Sequence, residues 1–427
     1  MWWGVLVACL GGFLFGFYMA VVSGALLFIS SEFHFSLAEE SAFVSILLLG
    51  AILGSSTGGY FTDWLGRKKA LWSASCFLIL GTLTLVSSKI YVVLLFARIL
   101  QGIGIGVISV AVPLYLGEIA PIAKRGRAVS AYQLIMGLGI LVAYIVNYSF
   151  TSTAHWQAMF LWGIFPALAF VIFLFFIPES PVWLFRKKQD LLAFQALQRL
   201  GLPSVEAPQL EKVIVRSKVL SFLCMIGILL SAFQQLTGIN TVIYYAPRIF
   251  GEAGYTSSVS AVFATIILGI ANLLGSWLSV WLLDRVGRKK LLLFGIVGMF
   301  IGLVSLSVFS FYEVSFIDKV SVASLLLYIF CFAMGPGPVV WVLLSEIYPP
   351  QIRDRAMSYS LLANWVCVYG ILWTFPYLLQ NMRIEGTFAL YALLNVLGFL
   401  FIFKCFPETK QKGFQEIVNE FDKKLQD

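Results

Sequence analysis

Long apolar runs separated by short polar intervals dominate the chain. Crossing the hydrocarbon core of a bilayer takes about 20 residues of helix, and twelve segments of that kind can be traced. They begin near Trp3, Ala42, Leu71, Tyr91, Ala128, Trp156, Val219, Val259, Leu291, Val320, Met357 and Gly386. Each predicts a helix, because a backbone inside lipid must satisfy its own hydrogen bonds. The first run has no basic n-region and carries polar and glycine residues to near Ser30, so it reads as a span and not as a cleaved leader. One run departs from the pattern. Gln234, Gln235, Asn240, Tyr244 and Tyr245 lie in the seventh span, where each needs a hydrogen-bond partner that lipid cannot supply. At helical spacing Gln234 and Tyr245 fall within about 20° of each other and Asn240 roughly 120° away. A straight helix would not aim them at one point, so a bend or unwinding is expected at Gly238 or Pro247.

Composition agrees with the pattern: 427 residues, 60% hydrophobic and 12% charged, where soluble domains run near 25% charged. The net charge of +8 is arranged by topology and is no nucleic-acid signal. Of the 29 Lys and Arg, only Lys89, Arg248, Lys319 and Arg383 fall on one side, and Arg98 lies inside a span. The rest crowd the opposite loops and the tail, which predicts both termini in the cytoplasm of a plasma or bacterial inner membrane. The six cysteines lack metal or CxxC spacing and read as small buried hydrophobes. No catalytic constellation, metal site or cofactor motif appears; the chain is not expected to be an enzyme.

Two halves follow one plan. Asp63-Trp64-Leu65-Gly66-Arg67-Lys68-Lys69 recurs as Asp284-Arg285-Val286-Gly287-Arg288-Lys289-Lys290. Glu118, followed by Arg125 and Arg127, recurs as Glu346, followed by Arg353 and Arg355; Pro178-Glu179-Ser180 recurs as Pro407-Glu408-Thr409. Three matches in order, each at the same end of a corresponding span, indicate a six-plus-six duplication. The expected division is a first bundle over 1–184, a cytoplasmic linker over 185–218, a second bundle over 219–410 and a tail over 411–427. In the linker, Asp190 to Leu200 reads as a short amphipathic helix ended by Gly201 and Pro203. Glycine in each basic loop permits a tight turn. Asp63, Arg67, Glu118, Arg125, Glu179, Asp284, Arg288, Glu346, Arg353 and Glu408 are expected to form cytoplasmic charge pairs between helices that latch one state and release in another.

With these motifs assembled, the chain resembles the sugar porter family of the major facilitator superfamily, which includes bacterial pentose– and hexose–proton symporters and animal facilitative glucose transporters. The likeness is carried by Gly11-Gly12-Phe13-Leu14-Phe15-Gly16, both basic loops, Pro178 to Leu184, Gln234-Gln235-Leu236-Thr237-Gly238-Ile239-Asn240, Gly335-Pro336-Gly337-Pro338 with Trp341, and Pro407 to Lys410. It implies the major facilitator fold, all-α, with twelve transmembrane helices in two six-helix bundles. It also implies alternating access to a central sugar site of Gln133, Gln234, Gln235, Asn240, Asn272, Trp341 and Asn364, closed from outside by Tyr244 and Tyr245. Amides can bond hydroxyls in both directions, and an indole can stack on the apolar face of a sugar ring.

The departures from the family's pattern matter more for coupling. Where family symporters carry a proton-coupling Asp in the first span, this chain has Tyr18; the usual Arg partner is retained as Arg98. Arg98 is expected either to find partners inside the bundle or to snorkel to the outer interface. Of 21 acidic residues none is placed at mid-membrane by the pattern, and Glu32, Glu39 and Glu40 are assigned to the outside. Val182 and Val368 replace an Arg and an Asn of relatives. The expectation is a monomeric carrier of a hexose or pentose working by facilitated diffusion. A sugar–proton symporter with another coupling site is the alternative. An organic-anion or drug transporter of the same superfamily and a non-transporting sugar sensor are weaker readings. The expected partners are a sugar and the bilayer.

Overall fold

A computed structural model describes residues 2–120, 125–202, 217–312, 314, 316–349, 352–410, 412 and 416–421. Side chains are not described at 125–127, 129, 130, 217, 284 and 354. Among the described residues the structure is helices and connecting turns, with no strand. The chain divides into two compact units, residues 1–208 and 209–427.

In the N-terminal unit, α1 (Trp2–Ala20) and α2 (Val22–Phe33) form one nearly continuous span. They are followed by α3 (Leu37–Leu65), α4 (Arg67–Ser87), α5 (Tyr91–Ile119), α6 (Arg125–Thr151), α7 (Trp156–Leu161) and α8 (Ile164–Phe176). Two short helices complete the unit, α9 (Pro181–Arg186) and the expected linker helix α10 (Asp190–Leu200), which ends at left-handed Gly201. Pro203 lies outside the described residues. The packing pairs are α3 with α5, α4 with α5 and α1 with α6. Glycines set the first two crossings. A Cβ at Gly102 or Gly106 would strike the carbonyls of Leu47 and Ala51, and one at Gly104 that of Ala74.

The C-terminal unit holds α11 (Ser217–Leu236), α12 (Ile239–Glu252), α13 (Ser258–Val286), α14 (Arg288–Phe311), α15 (Ile317–Met334), α16 (Pro336–Ile347) and α17 (Arg353–Cys405). Among the described residues of the whole chain, eleven helical stretches are long and apolar enough to cross a membrane. The last of them covers 51 residues, enough for two crossings, and its backbone leaves helical geometry at Arg383 (φ 55°), so the expected spans eleven and twelve are one stretch with a kink. The core of this unit gathers Leu223, Leu230, Leu292, Leu343, Ile402 and Phe421 among others. The tail helix over 416–421 contributes to it, with Phe421 edge-on to Phe222 and Phe406. In both units large apolar side chains such as Phe96, Phe176, Trp277 and Phe294 are exposed while Gln and Asn are buried, as are Arg67 and Arg98 in the first unit, the reverse of a water-soluble protein.

Candidate functional site

The seventh span breaks where the sequence placed its glycine. Gly238 has φ 86°, ψ 13°, separating α11 from α12, and a Cβ there would run into the Tyr391 ring. Both the left-handed backbone and the ring leave room only for glycine. Of the carbonyls at the break, Gln234 O accepts from Thr237 Oγ1 (2.8 Å) and Thr237 O from Tyr328 Oη of α15 (2.9 Å), while Gly238 O accepts from both the N–H (3.0 Å) and Oγ1 (2.7 Å) of Thr241. At Pro247 there is no break; α12 continues through it. A second break separates α15 from α16 at Gly335 (φ −113°, ψ −92°). Pro336 and Pro338 have no N–H, so the carbonyls of Phe332 and Met334 lose their helical partners.

Gln234 ties the two breaks together. Its Nε2 donates to Pro336 O (2.8 Å) and Gly337 O (2.9 Å). Its Oε1 accepts from Gln235 Nε2 (3.2 Å) and Asn364 Nδ2 (3.0 Å). Asn240 Nδ2 donates to Gln235 Oε1, and Asn364 Nδ2 also reaches Ser231 O (3.3 Å). Four of the expected site residues thus form one buried amide cluster drawn from α11, α12 and α17. Asn272 on α13 is buried and Trp341 on α16 half-buried, with no hydrogen bond joining either to the cluster among the described residues. Gln133 is half-buried on α6 of the other unit. Tyr244 and Tyr245 are fully buried; Tyr245 Oη donates to Leu372 O (3.4 Å) and its ring packs on Phe375 (5.0 Å).

In the N-terminal unit the polar interior is a chain of different chemistry. Tyr18 Oη lies 3.0 Å from Thr82 Oγ1, Gln101 Nε2 donates to Thr82 Oγ1 (3.2 Å), and Arg98 Nη1 donates to Gln101 Oε1 (3.0 Å). All four residues are fully buried. Arg98 therefore does not snorkel. Its guanidinium sits over the rings of Phe43 (5.6 Å) and Phe160 (5.8 Å), whose faces are electron-rich. Glu40, assigned to the outer side from sequence, lies in the first turn of α3 and is buried there, three residues before Phe43 and so on the same helical face.

The charged residues form matching clusters, one inside each unit. Arg67 reaches Glu118 through Nη2 (2.7 Å) and Nε (2.9 Å), and Asp63 through Nη1 (3.1 Å). Arg288 Nε reaches Glu346 (3.1 Å), which also accepts from Thr409 Oγ1. Glu179 and Glu408 do something the sequence did not announce. Glu179 accepts from the backbone N–H groups of Arg67 (3.0 Å), Lys68 and Ser180, and Glu408 from those of Arg288 (2.8 Å), Lys289, Thr409 and Lys410. Each carboxylate caps the positive start of a helix. Burial nevertheless raises the Glu179 pKa, against the lowering effect of those N–H groups and of Arg67. Arg353 Nε donates to Tyr348 O (3.3 Å). The side chains of Arg125 and Asp284 lie outside the described residues. Among those described, no group of metal-ligating residues gathers.

The family described as "Sugar (and other) transporter" matches residues 4–421. The chain belongs to that family. It is 35% identical over 427 residues to the galactose–proton symporter of Escherichia coli (strain K12), covering 96% of this chain and 92% of that protein. It superimposes with a TM-score of 0.82 at 32% identity on the partially occluded inward-open xylose transporter XylE from E. coli, covering 96% and 99% of the two chains. A second XylE structure, a major facilitator proton:xylose symporter bound to 6-bromo-6-deoxy-D-glucose, gives 0.81 at 31% identity over 98% of each chain. The protein is thus an integral membrane transporter with the major facilitator fold of the sugar porters. Sequence reasoning had missed Gln101, Thr82 and Tyr391. Gln101 was recoverable, since it lies three residues past Arg98 on one helix. Thr82 was not, because a threonine in a span can satisfy itself on its own helix, as this one does with Leu78 O (2.8 Å).

Proposed function

We propose that this protein carries a monosaccharide, hexose or pentose, across the membrane by alternating access, with Gln234, Gln235, Asn240, Asn272, Trp341 and Asn364 as the binding residues. The observation that carries the reading is the buried cluster of neutral amides gathered at two helix breaks. Neutral donors and acceptors suit hydroxyl groups, and the nearby indole suits the apolar face of a ring. Gln133 enters the proposal on the family resemblance alone, as does the role of Tyr244 and Tyr245 as an outer gate. The breaks at Gly238 and Gly335 are the proposed bending points. Both termini are assigned to the cytoplasm by the distribution of Lys and Arg, and the carrier is assigned as a monomer.

The transport mode we favour is facilitated diffusion. The chain Tyr18–Thr82–Gln101–Arg98 contains no carboxylate, and neither a tyrosine nor an arginine exchanges protons readily near neutral pH. A second reading rests on Glu40. A carboxylate buried on the Phe43 face, where the Arg98 guanidinium also packs, is a place for a coupled proton, and the relatives named above are proton symporters. Radiolabelled-sugar uptake into proteoliposomes tests both. Facilitated diffusion predicts equal plateaus with and without an inward proton gradient. Accumulation above equilibrium that an uncoupler and Glu40→Gln both abolish would replace it with the second reading. Uptake of no hexose or pentose at all would remove the proposal itself.

A further inference from the structure

We infer that Gln234 sets the hydrogen-bond polarity of the whole amide cluster, so that Asn240 and Asn364 meet the ligand with their carbonyl oxygens and read its hydroxyls as donors. This rests on the sugar-binding reading above and goes past it, from which residues bind to which end of each amide does so. Main-chain carbonyls can only accept. Gln234 lies within hydrogen-bond distance of two of them, Pro336 O and Gly337 O, so its amino end must face them and both of its protons are committed there. Its oxygen must then face the opposite way, where only donors are tolerated. Gln235 and Asn364 are therefore obliged to turn their amino groups towards it. Asn364 is held a second time, because the same nitrogen faces Ser231 O, another acceptor-only group. With the Gln235 amino group so placed, its oxygen faces Asn240, which must answer with Nδ2.

Each amide is thus oriented by its neighbour, starting from the carbonyls of the α15–α16 break. Reversing any one would set two acceptors face to face in a buried setting. Two atoms are left at the ends of the chain, Asn240 Oδ1 and Asn364 Oδ1, to which no donor is bonded among the described residues. The residues are 6% and 5% exposed. The unused donor capacity is smaller, one proton each on Gln235 and Asn240. A ligand must bring protons to two fixed oxygens. A hydroxyl does this, whereas a fluorine or a hydrogen in its place does not.

The test uses the purified full-length protein and the best sugar from the uptake panel. Its monodeoxy and monodeoxyfluoro analogues at every hydroxyl position are compared by equilibrium binding. Where the protein partner is an acceptor, the fluoro analogue binds no tighter than the deoxy analogue; where it is a donor, fluorine restores part of the affinity. The expected result is one or two positions at which both analogues lose about tenfold, with no recovery by fluorine. Gln234→Leu releases the Gln235–Asn240 arm, and one such position should then favour fluoro over deoxy about threefold. Recovery by fluorine at every sensitive position of the wild type overturns the inference while leaving the sugar site intact. Failure of every hexose and pentose to bind the wild type overturns both. If Gln234→Leu does not fold, the wild-type series decides alone.

Discussion

The two halves repeat one another at the membrane edge and part company inside it. At the edge, Gly66 (φ 95°, ψ 162°) and Gly287 (φ 102°, ψ 158°) make the same turn, Glu179 and Glu408 cap the same helix start, and Arg67 and Arg288 hold the same glutamate. Inside, the N-terminal half keeps helical geometry in the two spans that match the broken ones. The α1–α2 junction at Val21 is still helical (φ −59°, ψ −30°), and α5 runs from Tyr91 to Ile119 straight through Pro113. In the C-terminal half the corresponding spans are broken at Gly238 and Gly335. The difference shows what breaks a buried helix. One proline removes one hydrogen bond, which the helix survives at Pro113, Pro247 and Pro376. A glycine backed against a ring, or followed by two prolines within three residues, leaves no helical alternative. The intact half can bury an arginine in a rigid polar chain, and the broken half exposes backbone carbonyls that orient amides.

Four pairs of substitutions probe this contrast. The largest effect is expected at the edge. The Arg67 side chain is 2% exposed and that of Glu118 13%, against 14% and 25% for Arg288 and Glu346. Glu118→Ala, which leaves the buried Arg67 with the largely exposed Asp63 as its counter-charge, should cost about 3 kcal/mol, and Glu346→Ala about 1 kcal/mol. Thermal unfolding in detergent measures both, and equal losses would mean that the two clusters are held alike. Next, Gly238→Ala must adopt a left-handed backbone and displace the Tyr391 ring, at about 2 kcal/mol, with sugar uptake falling below about a tenth. Val21→Ala in the unbroken junction should leave uptake close to wild type.

Third, Gln101→Leu removes the amide that accepts from Arg98, a loss of about 1.5 kcal/mol for a bond to a charged group. Gln101→Glu should recover it, because the acceptor returns. A Leu variant as stable as wild type would show that the Gln101 bond is not needed to hold Arg98. The smallest effect separates two threonines. Thr82→Val breaks links to Tyr18 and Gln101 and should cost about 1 kcal/mol, whereas Thr241→Val loses a bond within its own helix turn and should cost about half that. Reversed order in a chemical-denaturation series would contradict the view that the N-terminal chain is the more tightly knit.

Much of the fold was legible because its determinants are local. Span length, the duplicated glycine turns and the break at Gly238 each follow from a few neighbouring residues and from the absence of water in lipid. The neutrality of the candidate site was legible for the same reason: amides without acids in one span can be read from the letters. What stayed open is burial that depends on another helix. Arg98 and Glu40 sit near helix ends, and from sequence alone an end can face lipid headgroups or the bundle with equal ease. Only the packing of α3, α5 and α7 places Phe43 and Phe160 against the arginine.

By itself the sequence determined that this is a duplicated, lipid-embedded helical carrier with a neutral amide-rich span, since hydrophobic length and repeated motifs leave no other economical arrangement. The tertiary structure decided which end of each amide faces which partner. An amide has two nearly equal ends, and nothing in a string of residues distinguishes them. Two carbonyls from a helix some hundred residues away do, because they can accept a proton and never give one.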